Sequence, residues 1–202
     1  MMFPPSDRGA SVLTPTSEYT LEERRILLRL AHRSIESALH GHRLDLDISN
    51  QHLSEKRGAF TTLHAHGRFR GCIGYVMPKQ SLLRTVAEAA RAAAFEDPRF
   101  TPVTKDEVGD LSVEISVLSL LRPIRPEDVV VGVHGLMVTM SGRRGLLLPQ
   151  VPVEWQWDRT QYLSQVCIKA GLPPDAWAQR IDLQAFTAEV FGESTVERGA
   201  KS

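Results

Sequence analysis

Apolar residues recur along this chain in two periods, and the alternation between them lays out the elements. Thr20-Leu21-Glu22-Glu23 is a capping box, in which the threonine and the glutamate satisfy each other's free backbone N–H groups. Beyond it Leu27, Leu28, Ala31, Ile35, Ala38 and Leu39 form one apolar face, so the spacing predicts a helix to about Leu39, stopped at Gly41. Residues 42–57 are polar and read as loop. Residues 59–66 and 68–75 are β-rich runs around Gly67, which predicts a hairpin. Ser81 caps a second helix over 82–95, whose alanines suit close packing on a sheet. Thr104-Lys105-Asp106-Glu107 reads as another capping box, opening a short helix that Gly109 ends.

The second half is written mostly in period two. Leu111, Val113, Ile115 and Val117 point one way, with Ser112, Glu114 and Ser116 opposite them. After Pro123 and Pro126, residues 136–140, the turn 141–144 and residues 145–148 read as strand, turn, strand. Asp158 and Gln161 cap a third helix, which ends at Gly171-Leu172-Pro173-Pro174, and a last strand covers about 185–191. Hairpins and single crossings without regular βαβ alternation predict an α+β fold, a mainly antiparallel sheet covered by helices. Residues 1–19 and 193–202 read as tails around one domain over 20–192. The proline-marked break sets off a smaller lobe at about 119–150, whose hairpin can pack on the main sheet and make a cleft.

Composition narrows the function classes. Basic and acidic residues balance at 24 each among 202 residues, which argues against an extended nucleic-acid footprint. No apolar run approaches the length of a membrane span, and the start has no secretory pattern. Two widely separated cysteines, Cys72 and Cys167, exclude a disulfide framework and suit the cytoplasm. His64 and His66 share a strand face and His40 and His42 frame Gly41, but two imidazoles are an incomplete zinc set, so neither a metal nor another cofactor is expected.

The chemistry concentrates at Arg70-Gly71-Cys72-Ile73-Gly74, a lone thiol between two glycines inside a strand. Glycines there imply close approach of a ligand or of a neighbouring backbone. Regular alternation puts Arg70 beside Cys72, and a guanidinium there favours the thiolate, whereas burial without one opposes it. Cys72 is therefore the candidate nucleophile, with His134 as base, Glu114 as orienting carboxylate and Arg70 as the charge or anion holder. Gln150 and Glu154 follow a buried strand and can reach the same cleft. The plainer alternatives are a core cysteine, a solvated Glu114 and a His134 that caps a turn. Cys167 shares the apolar face of the third helix and reads as core. Trp155, Trp157 and Trp177 read either as core anchors or as a partner-binding patch.

Several segments resemble the AMMECR family, also called AmmeMemoRadiSam system protein A. They include Arg57-Gly58-Ala59-Phe60, the run from Arg70 to Gly74, Ala93-Ala94-Phe95-Glu96-Asp97-Pro98-Arg99-Phe100, Val113-Glu114-Ile115-Ser116 and His134-Gly135-Leu136. Further matches are Arg144-Gly145-Leu146-Leu147-Leu148-Pro149-Gln150, Val153-Glu154-Trp155 and Lys169-Ala170-Gly171-Leu172-Pro173-Pro174. The resemblance implies an α+β domain of two unequal lobes. It also implies association with a Memo-like protein, related to metal-dependent extradiol dioxygenases, and with a radical SAM enzyme, in protein or RNA modification. It supplies no reaction, and a non-catalytic adaptor that binds those companions or a substrate polymer is the alternative.

Overall fold

Leu27, Leu30, Ala31 and Ile35 on helix α1 (Leu21–Leu39) are sealed from solvent, and so is the alanine-rich face of α2 (Leu82–Phe95). The reason is visible in the computed structural model, which describes residues 17–47, 49–77, 79–179 and 181–193. Both helices cover one face of a four-stranded antiparallel sheet built from β1 (Ala59–Ala65), β2 (Arg68–Tyr75), β3 (Leu111–Leu118) and β8 (Ala188–Gly192), in the order β2-β1-β3-β8. Ala59, Leu63, Leu111, Val113, Ile115, Val117 and Phe191 are the sheet's share of that core. The capping box at Thr20 forms as the spacing predicts, with Glu23 accepting from the Thr20 N–H at 2.9 Å.

A second antiparallel sheet contains β4 (Arg122–Pro123), β5 (Gly135–Met140), β6 (Arg143–Leu147) and β7 (Asp182–Phe186), in the order β4-β7-β5-β6. Helix α4 (Arg159–Lys169) packs on it around Leu136, Val138, Tyr162, Leu163, Val166 and Cys167. This sheet draws on residues well past 150, because β7 pairs with both β4 and β5. The fold is α+β, two antiparallel sheets each with its own helical cover.

The chain passes between the sheets twice, and the two crossings are tied together. The Ser119 N–H donates to the Thr187 carbonyl at 2.9 Å, and the Thr187 N–H donates to Ser119 Oγ at 2.9 Å. The single last strand expected over 185–191 is therefore two strands, broken at Thr187 where the backbone leaves one sheet for the other.

Glycine sets the helix-to-sheet spacing in both halves. A Cβ on Gly71 would lie 2.4 Å from the Ala93 carbonyl of α2, and one on Gly145 would lie 2.4 Å from the Ala170 N after α4. The visitor that Gly71 admits is thus a neighbouring backbone.

Three local expectations change. No capping box forms at Thr104, because the Glu107 N–H donates to the Thr104 carbonyl rather than to its hydroxyl; a 3-10 turn over Val108–Asp110 takes the helix's place, with Gly109 inside it. His66 leaves the strand and shares the hairpin turn with Gly67, both at positive φ, so it does not stand on a strand face with His64. Tyr19 is buried in the first core and Glu18 donates its N–H to Glu189, so the ordered chain begins before residue 20. The rest of the expected tails, 1–16 and 194–202, lies outside the described residues. No helix among the described residues is long and apolar enough to cross a membrane.

Candidate functional site

The face of the first sheet that α1 and α2 leave bare is the floor of a cleft. Strand pairing places Cys72 opposite Thr62 and Thr62 opposite Glu114, in one row across β2, β1 and β3. Two strand spacings separate the ends of that row, roughly 10 Å. The next rows add Phe60, Ser116, Leu118, Ala188 and Val190. Gly132, Val133 and Leu148 of the second lobe form the opposite wall, with Gln150, Val153 and Glu154 from the short helix α3 (Gln150–Glu154). The space enclosed is ≈ 830 Å³. That is the size of an ordinary small-molecule site.

Cys72 is half-buried on this floor, and the Thr62 hydroxyl donates to its Sγ at 3.2 Å. β2 is an edge strand, so the outward N–H and C=O of Cys72 need partners from elsewhere. The turn after α2 supplies both. Asp97 Oδ2 accepts from the Cys72 N–H at 2.9 Å, and Arg99 Nη2 donates to the Cys72 carbonyl at 3.2 Å. Asp97 and Arg99 also bind each other, at 2.6 Å between Oδ2 and Nη2. The Arg99 guanidinium, helped by the N–H groups of Cys72 and Arg99, holds the Asp97 carboxyl well below the usual carboxylate range although burial opposes its charge. Arg99 lies 5.0 Å from the Phe69 ring centroid, and both residues line the cleft.

Arg70 is not beside the thiol. The β1–β2 register shifts between Leu63 and His64, leaving Arg70 as the extra residue of a β-bulge. One inserted residue reverses the parity of the strand, so Phe69 shares the cleft with Cys72 and Arg70 turns away. Arg70 pairs instead with Glu107 through Nε and, at 3.1 Å, through Nη2, and it donates to the Thr101 carbonyl at 2.8 Å. That contact keeps Glu107 below its ordinary carboxylate range. The positive group next to Cys72 is Arg99, its charge largely offset by Asp97.

His134 also lies outside the cleft. Its Nδ1 accepts from the Val130 N–H at 3.1 Å and its carbonyl accepts from the Tyr162 hydroxyl at 3.0 Å, so it caps a turn. Val133, one residue earlier, is the one that reaches the cleft. Glu114, Gln150 and Glu154 do meet Cys72 around the same space, so four of the six expected site residues converge and Arg70 and His134 do not. Cys167 is fully buried on α4, and burial pushes its thiol pKa up. No cluster among the described residues could hold a metal ion. Trp157 and Trp177 are packed at the second core, whereas Trp155 is 68 % exposed and stacks on Trp157 at 6.1 Å.

The AMMECR1 family model matches residues 28–191. The chain belongs to the AMMECR1 family. It is 42% identical to Protein MJ0810 of Methanocaldococcus jannaschii over 184 residues, covering 86% of this chain and 92% of that one. Protein PF1979 of Pyrococcus furiosus is 43% identical over 182 residues, covering 83% of this chain and 86% of its own. Among solved structures, protein PH0010 of Pyrococcus horikoshii superposes with a TM-score of 0.70 at 41% identity, over 85% of this chain and 92% of that one. The match runs through both sheets and so through every wall of the cleft.

Of the further site residues, the sequence reading passes over Thr62 and gives only a fixed turn, hydrogen-bonded to backbone, for Asp97 and Arg99. The signal for the last two was the Asp97-Pro98-Arg99 turn, where acid and base two apart are fixed by proline; what the turn holds, an edge strand at the cysteine, needs the fold. Thr62 carried no signal beyond its place in a β-rich run.

Proposed function

We propose that this protein binds a small ligand or polymer segment in the cleft between its two sheets and that the Cys72 thiol is the reactive group there. The observation that carries this reading is convergence: an open thiol shares one enclosed space with Thr62, Arg99, Glu114, Gln150 and Glu154. Cys72 Sγ is the nucleophile presented to the ligand, with solvent at the open cleft to take the thiol proton and the Thr62 hydroxyl donating to the sulfur. Arg99 takes the place expected for Arg70. Glu114 lies in one row with Thr62 and Cys72 on the cleft floor. It orients the substrate together with Gln150 and Glu154, while Phe60, Val133, Val153 and Val190 hold its apolar part. In the context the family resemblance implies, this chemistry belongs to protein or RNA modification alongside a Memo-like protein and a radical SAM enzyme. Two cysteines left free suit a cytoplasmic setting.

The test is alkylation by iodoacetamide without denaturant, read by intact mass and peptide mapping. A single adduct on Cys72 is expected, with Cys167 untouched until the protein unfolds. Equal resistance of both cysteines would remove the thiol from the mechanism. A second reading, the non-catalytic adaptor, is favoured by exposed Trp155 beside Ile168 on the outer surface. It predicts that Trp155→Ala abolishes binding of a purified Memo-like protein while Cys72 labelling is unchanged.

A further inference from the structure

The crossings between the sheets have two faces, and the second carries a site of its own. Leu118 and Ala188 face the cleft, whereas Ser119 and Thr187, one residue on in each direction, line a separate pocket behind it. That pocket, ≈ 490 Å³, is also lined by Arg57, Arg122, His134 and Glu18. Three nitrogen donors there have no acceptor among the described residues. His134 is one: its Nδ1 accepts from Val130, which leaves the ring proton on Nε2. The Arg122 guanidinium is the second, on the short edge strand β4. The third is Arg57 Nε, unpaired on a side chain that is only 10% exposed. A buried donor without an acceptor is uncommon and costly. Arg57 Nη2 is already taken by Glu18 at 2.6 Å and Glu55 at 2.9 Å, so Arg122 carries the free positive charge.

We propose that this pocket is an anion site, taking a phosphate or carboxylate group of a small molecule between Arg122, His134 Nε2 and Arg57. Such a group offers several oxygens to forked nitrogen donors, which neither water nor an apolar ligand does. The donors come from both lobes: Arg57 precedes β1, whereas Arg122 is on β4 and His134 is in the turn that leads into β5. A bound anion therefore braces the tied crossings from behind and fixes how the two sheets stand across the cleft.

The experiment is a thermal-unfolding titration with inorganic phosphate, and separately with acetate, each against sodium chloride at matched ionic strength. A ligand at ten times its dissociation constant raises Tm by about 3–5 °C in a domain of this size. A saturable rise of that order with phosphate assigns a phosphate-type ligand, and one with acetate alone assigns a carboxylate. The exposed Arg122→Gln variant should retain its fold and shift the midpoint of the titration at least tenfold. His134→Gln should weaken it as well, and the His134 Nε2 resonance of the wild type should move with the same midpoint. No rise above the chloride control, or an undiminished rise in Arg122→Gln, overturns the site. Neither result bears on Cys72, whose labelling is read separately.

Discussion

At the scale of single residues, Cys72 is held by its backbone. Asp97 and Arg99 satisfy the two main-chain groups that an edge strand leaves open there, and the sulfur is free to face the cleft. The Asp97 side chain is 1% exposed and ionised, so removing it leaves the Cys72 N–H without an acceptor and the Arg99 guanidinium without its counter-charge. Asp97→Ala should cost about 3 kcal/mol in urea unfolding at pH 7. The pH dependence has a definite sign. The folded-state pKa of Asp97 is depressed, so its contribution is complete above the unfolded value near 4 and is lost as pH falls from there toward the folded value. The gap between wild type and variant should therefore narrow below about pH 4. A gap that stays constant from pH 7 to pH 3 would count against the ionised pair.

At the scale of elements, period and two of the three expected capping boxes were legible in the sequence and parity was not. The capping boxes at Thr20 and Asp158 and the alternation over Leu111–Leu118 fix their elements because each is a local pattern. Glu114 could be placed on the open face from alternation alone. Arg70 could not, since its direction depends on a bulge opposite Leu63 and His64 that only the pairing with β1 defines. His134 missed the cleft by one residue for the same kind of reason: the turn from Val130 to His134 settles which of Val133 and His134 faces inward. Thr187 likewise reads as mid-strand until the crossing between sheets is seen. The glycines are the firmest elemental prediction. Gly145→Ala would drive a Cβ into the α4 backbone, 2.4 Å from the Ala170 N and 2.6 Å from the Val166 carbonyl. We expect a loss of about 2 kcal/mol, seen as a lower denaturation midpoint with an unchanged slope. A loss under about 0.5 kcal/mol would mean that α4 does not rest on β6 in this way.

At the scale of the molecule, two sheets with separate cores meet along the tied crossings and the cleft. The thiol, the Asp97–Arg99 turn, the α3 wall and the donor pocket behind all fall on that junction. The cleft can be filled without disturbing either core, because Ser116 is half-buried on the floor and points away from the helices. Ser116→Trp should close the space over Cys72 and leave the unfolding midpoint nearly unchanged.

The most direct measurement is the alkylation rate of Cys72 in Cys167→Ala protein, native and urea-unfolded, with and without Ser116→Trp. An open thiol at the cleft floor predicts a native rate within about tenfold of the unfolded one, and at least a tenfold slowing when the tryptophan fills the cleft. A native rate thousands of times below the unfolded one, or a rate indifferent to Ser116→Trp, contradicts it.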